Sequence, residues 1–245
     1  MRIEDLVINT LVFIDDLKNG QLQSEILDKI IKIGIQNIEV RREYIKDFSK
    51  ELVDIREVAN KNNITLFYSV PETLFKEGKL RKLDIEQYFN EAYKMNCNYI
   101  KMNIGQVNEL SKEDTDIISE LCNKYSVYLT VENDQTEENG RCDKIYNFLS
   151  LNRKLGGNIS FTFDVGNWIF QEEDPIKNAE RLKEFVTYIH LKNVDDNKGN
   201  SLIDKGILDL EKILEILPKG LPMALEYPCA SIDEVQGEIN KVLNF

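Results

Sequence analysis

Hydrophobic residues recur along the chain in two alternating patterns. Short runs rich in β-branched and aromatic residues, typical of buried strands, are separated by longer charged segments whose apolar positions have helical spacing. The strand-like runs fall at residues 6–13, 37–41, 64–70, 99–105, 127–133, 159–166, 187–193 and 222–228. This alternation predicts repeated βαβ units around a parallel sheet.

The number of these units and the chain length favour a (β/α)8 TIM barrel. Eight βαβ units in 245 residues match the usual size of that fold. An open doubly wound sheet is the alternative, but it usually carries a glycine-rich phosphate-binding turn after its first strand, and LVFIDDLKNG contains no GxGxxG. Because no linker-like or low-complexity tract interrupts the sequence, we predict one α/β domain spanning residues 1–245.

Side-chain alternation places polar groups on the inner face of the predicted barrel. Successive residues of a strand point to opposite faces, and one face of a barrel strand contacts the helices while the other lines the interior. In the last four strands, bulky apolar residues occupy one parity, and the other parity ends in Glu132, Asp164, His190 and Glu226. The same alternation directs Glu39, Arg41, Lys101 and Asn103 inward. TIM-barrel active sites lie at this C-terminal end of the strands.

The convergence of three carboxylates and one imidazole predicts a metal site. His190 is the only histidine of the chain. Oxygen-rich ligation with one nitrogen favours Mn²⁺, Mg²⁺ or Co²⁺ and is also compatible with Zn²⁺. Taken singly, each residue also has a structural interpretation, as the ion-pair partner of a lysine, a helix N-cap or a hydrogen-bonded interior histidine. Four together are not needed for packing, and burying unpaired carboxylates costs several kcal/mol, which favours the metal.

Four segments carry a resemblance to a known family. VYLTVEND, ISFTFDVGNWIF, YIHLKN and DKGILDLEKILEILPKGLPMALEYP resemble strands 5 to 8 of the xylose isomerase-like TIM barrels, most strongly over residues 127–228. That superfamily includes sugar isomerases and epimerases, hydroxypyruvate isomerases, inosose dehydratases and apurinic-site endonucleases. In such proteins, four matching positions bind one divalent metal, and the two glutamates commonly form an acid/base pair. The resemblance therefore implies Glu132, Asp164, His190 and Glu226 as ligands, with Glu132 and Glu226 also catalytic.

The sequence departs from the family pattern at two positions. Asn167 stands where many relatives have the histidine of a D-x-x-H motif, and Asn193 where many have the aspartate of H-x-K-D. These two changes affect the prediction of the substrate more than the prediction of the metal. The endonuclease branch uses several histidines for multiple zinc ions, and this chain has one histidine and a net charge of −12, so we predict no nucleic-acid partner.

These observations predict a divalent-metal-dependent isomerase or epimerase. It would transfer a proton beside the carbonyl of a small sugar, sugar phosphate or hydroxy-oxo acid, through a metal-stabilised enediolate. The residues expected to hold substrate oxygens are Arg41, Lys101, Asn103, Asn167 and Lys192. The three cations among them are as well explained by neutralisation of buried acids. A dehydratase that uses the same site and a non-catalytic ligand-binding barrel are the alternatives.

The sequence also predicts the compartment. MRIEDLVINT has acidic residues and no signal-peptide pattern, no apolar run reaches the ~18 residues that span a bilayer, and the four cysteines form no CxxC pair. We therefore expect a cytoplasmic protein with no membrane partner. A homo-oligomer is compatible with the sequence.

Overall fold

The computed structural model describes residues 2–245, which form a closed parallel barrel. Its strands are β1 (Leu6–Asn9), β2 (Asn37–Arg41), β3 (Thr65–Lys76), β4 (Tyr99–Gly105), β5 (Tyr128–Glu132), β6 (Ser160–Asp164), β7 (Val186–Leu191) and β8 (Met223–Leu225). Each strand pairs in parallel with the next, and β8 pairs with β1 to close the ring. The prediction of a (β/α)8 TIM barrel is confirmed.

Helices surround the barrel on its outer side. They are α1 (Ile14–Lys18), α2 (Gln23–Lys32), α3 (Glu51–Asn62), α4 (Lys82–Met95), α5 (Lys112–Tyr125), α6 (Cys142–Lys154), α7 (Pro175–Leu182), α8 (Leu210–Ile216) and α9 (Ile232–Leu243). Local signals start several of them: Ser111 accepts the backbone N–H of Asp114 at the start of α5, and Asp174 caps α7 ahead of Pro175. Within residues 2–245, no helix is long and apolar enough to cross a membrane.

The core lies between the strands and the helices, as the predicted alternation requires. On β6, Phe161 and Phe163 are fully buried on the outer face, whereas Thr162 and Asp164 lie on the inner face. Trp168 is also fully buried, with its ring centroid 5.4 Å from that of Phe163. Trp168 therefore packs behind the strand that carries Asp164 and contributes to its fixed position.

Three strand boundaries differ from the sequence prediction by three or more residues. β1 ends at Asn9 because the Asn9 side chain accepts the backbone N–H of Leu11 and starts the 3-10 turn Thr10–Phe13. β3 is longer than predicted, since it continues past an irregularity and pairs with Lys79–Leu80. β8 is shorter, so Glu226 directly follows its last residue.

Candidate functional site

The structure brings Glu132, Asp164, His190 and Glu226 together at the C-terminal ends of β5 to β8. One ligand atom from each residue lies within 4.8 Å of the others. The sheet register explains this convergence, because His190 is paired with Asp164 on one side and with Ala224 on the other. All four side chains are nearly or completely buried, so their charges interact at short range in a weakly screened environment.

In each of the two glutamates, one carboxylate oxygen contacts a cation and the other lies near His190. Glu132 Oε2 accepts from Lys101 Nζ at 2.5 Å, and Oε1 lies 2.6 Å from His190 Nδ1. Glu226 Oε1 accepts from Arg41 Nη1 at 2.6 Å, and Oε2 lies 3.1 Å from the same imidazole nitrogen. Each glutamate therefore has one oxygen fixed by a cation and the other at the centre of the cluster.

Asp164 has a comparable arrangement. Its Oδ1 accepts the backbone N–H groups of Gly166 and Asn167, both at 2.9 Å, where the 3-10 turn Asn167–Gln171 begins. Its Oδ2 lies 2.8 Å from Lys192 Nζ. Asn133, a residue that the sequence analysis did not identify, also fixes Asp164: its side chain accepts the Asp164 N–H and donates to the Asp164 carbonyl, both at 2.9 Å.

His190 is oriented by Glu39, which the sequence analysis placed inside the barrel without a role. Nε2 of His190 lies 3.0 Å from Glu39 Oε2 and 3.2 Å from Oε1. Asn9 donates to the same carboxylate at 2.6 Å. Asn9 could have been identified as the polar residue that ends β1, but the predicted strand extended beyond it to residue 13. Because Nε2 faces Glu39, the imidazole presents Nδ1 to the cluster.

The charges of the cluster move its pKa values apart. Burial would raise the pKa of Glu132, but Lys101 and His190 outweigh burial and lower it to about 2. Burial raises the pKa of Asp164 to about 7, helped by Glu226 and Glu132 and opposed by Lys192. Burial would lower the pKa of His190, but Glu226, Glu39 and Glu132 raise it well above its usual value. These shifts favour a cationic imidazole between ionised glutamates.

The cluster residues fit a divalent metal ion. Glu132 Oε1, Asp164 Oδ2 and His190 Nδ1 are buried, and none has an aligned hydrogen-bond partner despite the short distances to neighbouring charges. A buried polar atom without a partner costs about 1–3 kcal/mol. A cation would take a lone pair from each of these three atoms, and oxygen-rich ligation with one nitrogen is the donor set of Mn²⁺, Mg²⁺ or Co²⁺.

A cavity of about 400 Å³ opens beside the cluster. Its walls include Glu132, Glu226 and all five residues predicted to bind substrate, Arg41, Lys101, Asn103, Asn167 and Lys192. The three cations each lie within ion-pair distance of a cluster carboxylate, which supports the interpretation that they neutralise buried acids.

Two asparagine side chains of the cavity wall, Asn103 and Asn167, make different hydrogen bonds. Asn103 donates to Asp134 at 2.9 Å, and Asp134 is also held by the side chain of Asn139 at 2.9 Å. Asn167 donates from Nδ2 to the Asn133 carbonyl at 2.8 Å, whereas its Oδ1 is buried without a donor. The loop after β5 adds Asp134, Gln135 and Thr136 to the wall, and the sequence analysis did not identify these three residues.

The chain shares its (β/α)8 fold with solved structures whose sequences are only distantly similar. No family model and no curated protein sequence matches the chain. The probable 3-DHS dehydratase AsbF from Bacillus anthracis is 16% identical, with a TM-score of 0.71 over 98% of both chains. The IolI protein with a bound zinc atom is 15% identical, with a TM-score of 0.71 over 97% of this chain and 96% of that chain. D-psicose 3-epimerase from Clostridium cellulolyticum is 12% identical, with a TM-score of 0.67 over 98% of both chains.

Proposed function

We propose that the protein is a divalent-metal-dependent isomerase or epimerase of a small sugar, sugar phosphate or hydroxy-oxo acid. The observation that carries this proposal is the pair Glu132 and Glu226, two buried carboxylates that both line the cavity and both approach His190 Nδ1. The proposed ligands are Glu132, Asp164, His190 and Glu226. When bound, a divalent ion would stabilise negative charge on the substrate oxygens.

The two glutamates are held at the cavity wall as carboxylates, the form that can accept a proton from a substrate carbon. Lys101 and His190 keep the pKa of Glu132 low, and His190, Lys192 and Arg41 keep that of Glu226 well below its usual value despite burial. Both are therefore ionised at neutral pH. Lys101 and Arg41 also fix one oxygen of each glutamate, which holds the carboxylate in place for proton removal and return.

The cavity wall supports a polyhydroxy substrate. The cavity volume of about 400 Å³ lies in the range of small-molecule sites. Asn167 Oδ1 accepts no hydrogen bond in the protein, and its amide orientation is set by donation to Asn133. A substrate hydroxyl would supply the missing donor. The D-psicose 3-epimerase that shares the fold acts on such a compound, in line with this proposal.

Proton exchange with solvent tests the proposed reaction. The protein, loaded with Mn²⁺ and then with Mg²⁺ or Co²⁺, is incubated in D₂O with a panel of ketoses, aldoses and hydroxy-oxo acids, and the products are analysed by NMR. We expect metal-dependent deuterium at the carbon beside the carbonyl of one compound, together with its isomer, and loss of both on chelation. Metal binding without exchange or conversion of any compound would favour the non-catalytic barrel.

A dehydratase is the second candidate, and the similarity to the probable 3-DHS dehydratase favours it. Proton removal beside a carbonyl would then be followed by loss of water, with the same two glutamates as acid and base. The product distinguishes the two reactions, because dehydration gives an unsaturated or dicarbonyl compound that absorbs in the ultraviolet or reacts with carbonyl reagents. Isomerisation conserves the mass of the substrate.

A further inference from the structure

Two cations of the cavity beside the cluster are already paired with carboxylates. Arg41 donates from Nε to Glu43 at 2.7 Å and from Nη1 to Glu226 at 2.6 Å. Lys101 Nζ lies 2.5 Å from Glu132 Oε2. The oxygens of Glu132 and Glu226 that these cations hold are not the ones that face His190, so both pairs can persist when an ion binds the cluster.

Lys192, the third cation of the wall, is shared by two carboxylates. Its Nζ lies 2.8 Å from Asp164 Oδ2 and 3.6 Å from Glu226 Oε2. Its stem packs so closely on Gly166 that a Cβ at that glycine would lie 2.7 Å from Lys192 Cγ. This packing keeps the ammonium group beside the cluster. Within residues 2–245, the wall contains no fourth cation, so none is free to bind an anionic group of a substrate.

Asp134 is the opposite case, a carboxylate of the wall without a cation. Its Oδ1 accepts from the backbone N–H of Thr136 at 2.7 Å and from the Thr136 hydroxyl at 2.5 Å. Its Oδ2 accepts from the side-chain amides of Asn103 and Asn139, both at 2.9 Å. All four donors are uncharged, and none of the ion pairs within residues 2–245 includes Asp134. The donors therefore hold a negative charge on the wall that no cation neutralises.

The charge around the cavity stays negative even with a divalent ion in the cluster. A metal-bound His190 is neutral, so the positive charges are those of the ion and of the three cations. They fall one short of the six carboxylates at the cluster and the cavity, which are Glu39, Glu43, Glu132, Asp134, Asp164 and Glu226. The net charge of −12 for the whole chain acts in the same direction. Such a field lowers the local concentration of anions.

We propose that the substrate is an uncharged sugar, and that Asp134 is a specificity-determining residue that excludes sugar phosphates and other anionic compounds. This inference rests on the proposed isomerase or epimerase function. Phosphate and carboxylate groups are usually bound by free cations or backbone N–H groups, and here Asp164 already takes the N–H groups that begin the turn after β6. Hydroxyl groups need only neutral partners, and Gln135 and Asn200 place exposed amides on the wall.

Sugars paired with their own phosphates test the proposed selection by charge. D-fructose, D-psicose and D-ribulose, each beside its terminal phosphate ester, are titrated into the full-length protein loaded with Mn²⁺, and binding is measured by calorimetry at low ionic strength. We expect each phosphate ester to bind about tenfold or more weakly than its parent sugar. The difference should shrink in 1 M NaCl, where the screening length falls to about 3 Å. Conversion of each compound is followed by NMR in the same samples.

Charge variants of the wall locate the effect. Asp134→Asn removes the unneutralised charge and should improve binding of the phosphate esters relative to their parents about 3–10-fold. Gln135→Lys adds a cation at an exposed position of the wall and should improve it by a similar factor. Gln36→Lys makes the same change at an exposed position just before β2, at the opposite end of the barrel, and should leave the ratio unchanged. If Asp134→Asn does not fold by circular dichroism, Gln135→Lys decides.

The outcomes separate this inference from the proposed reaction. Equal or tighter binding of the phosphate esters by the wild type, or an unchanged ratio in folded Asp134→Asn or in Gln135→Lys, would overturn the selection by charge. Metal-dependent conversion of a sugar phosphate but not of its parent would also overturn it, and would leave the isomerase proposal intact. Selective binding of uncharged sugars without conversion of any compound would overturn the reaction and support the selection by charge. Absence of binding by every sugar in both forms would overturn both.

Discussion

Glu39 and His190 form a fully buried pair in which Glu39 Oε2 lies 3.0 Å from imidazole Nε2. Partners of this kind set the tautomer and the ring orientation of a metal-binding histidine, and their loss typically weakens metal binding about 10–100-fold. We therefore predict that Glu39→Leu lowers the affinity for Mn²⁺ by about 10–100-fold. Glu39→Gln, which keeps an accepting oxygen, should fall between this variant and the wild type.

Glu91→Gln and Glu91→Leu are the matched controls for this prediction. Glu91 is a buried carboxylate that accepts from Arg42 and Tyr68 and is not among the cluster residues. Its variants should lose stability and keep the wild-type affinity for Mn²⁺ in calorimetric titrations. Equal loss of affinity in the Glu91 and Glu39 variants would mean that the effect comes from general destabilisation.

Metal binding should stabilise the fold. A ligand that binds only the folded state at 100 times its dissociation constant adds about 2.7 kcal/mol, which for a chain of this size raises Tm by about 5–10 °C. We expect this shift with Mn²⁺, Mg²⁺ or Co²⁺ in differential scanning calorimetry. His190→Ala should abolish it when each variant is compared with its own metal-free form. A full shift in the variant would mean that the ion binds elsewhere.

Metal binding should also release protons. The pKa of His190 is raised well above its usual value, and that of Asp164 is raised to about 7, so at neutral pH the metal-free cluster holds protons that ligation must displace. Affinity for Mn²⁺ should therefore increase with pH through and above pH 7, and decrease as the pH falls. Titrations in buffers of different ionisation enthalpy should show about one to two protons released per ion near pH 7. An affinity independent of pH would contradict the assigned protonation.

Strand alternation predicted which residues of β5 to β8 face the barrel interior, because bulky apolar residues such as Phe161 and Phe163 pack against the helices on the other face. It could not predict which oxygen of a carboxylate faces which partner, because that depends on side chains from distant strands. Glu39 illustrates the limit: its inward direction follows from β2, but its contact with His190 depends on the closure of the barrel between β1 and β8. Asn9 was not identified because it lies within an apolar run. The end of β1 at this residue depends on a turn that the apolar pattern does not show.

Asn167 should affect substrate binding more than turnover. Among the residues that the structure describes, its Oδ1 is the one fully buried acceptor of the cavity wall, outside the four cluster residues, that lacks a hydrogen-bond donor. Loss of one hydrogen bond to a substrate hydroxyl is worth about 1 kcal/mol, so Asn167→Ala should raise KM about 5–10-fold at saturating metal. Asn167→Asp keeps an acceptor and loses the donation to Asn133, so it reports the structural contribution. A wild-type KM in Asn167→Ala would exclude the contact.

Replacement of Glu132 or Glu226 by glutamine tests the acid and base roles. Lys101 and Arg41 each hold one oxygen of these carboxylates, so a glutamine that keeps its oxygen toward the cation must turn its amide NH₂ to the cluster. Metal affinity should then fall as well, and turnover must be compared at metal concentrations that saturate each variant. Under those conditions, kcat should fall on the order of 10²-fold or more, because glutamine cannot accept a proton.

Solvent exchange separates these roles from a purely structural loss. If each glutamate serves one face of the substrate carbon, one variant should still exchange the proton of one epimer in D₂O, and the other variant that of the opposite epimer. A single base serving both faces predicts loss of all exchange in one variant alone. Full retention of the substrate hydrogen, with both saturated variants still active, would eliminate proton transfer by these glutamates and favour a hydride shift within the same cluster.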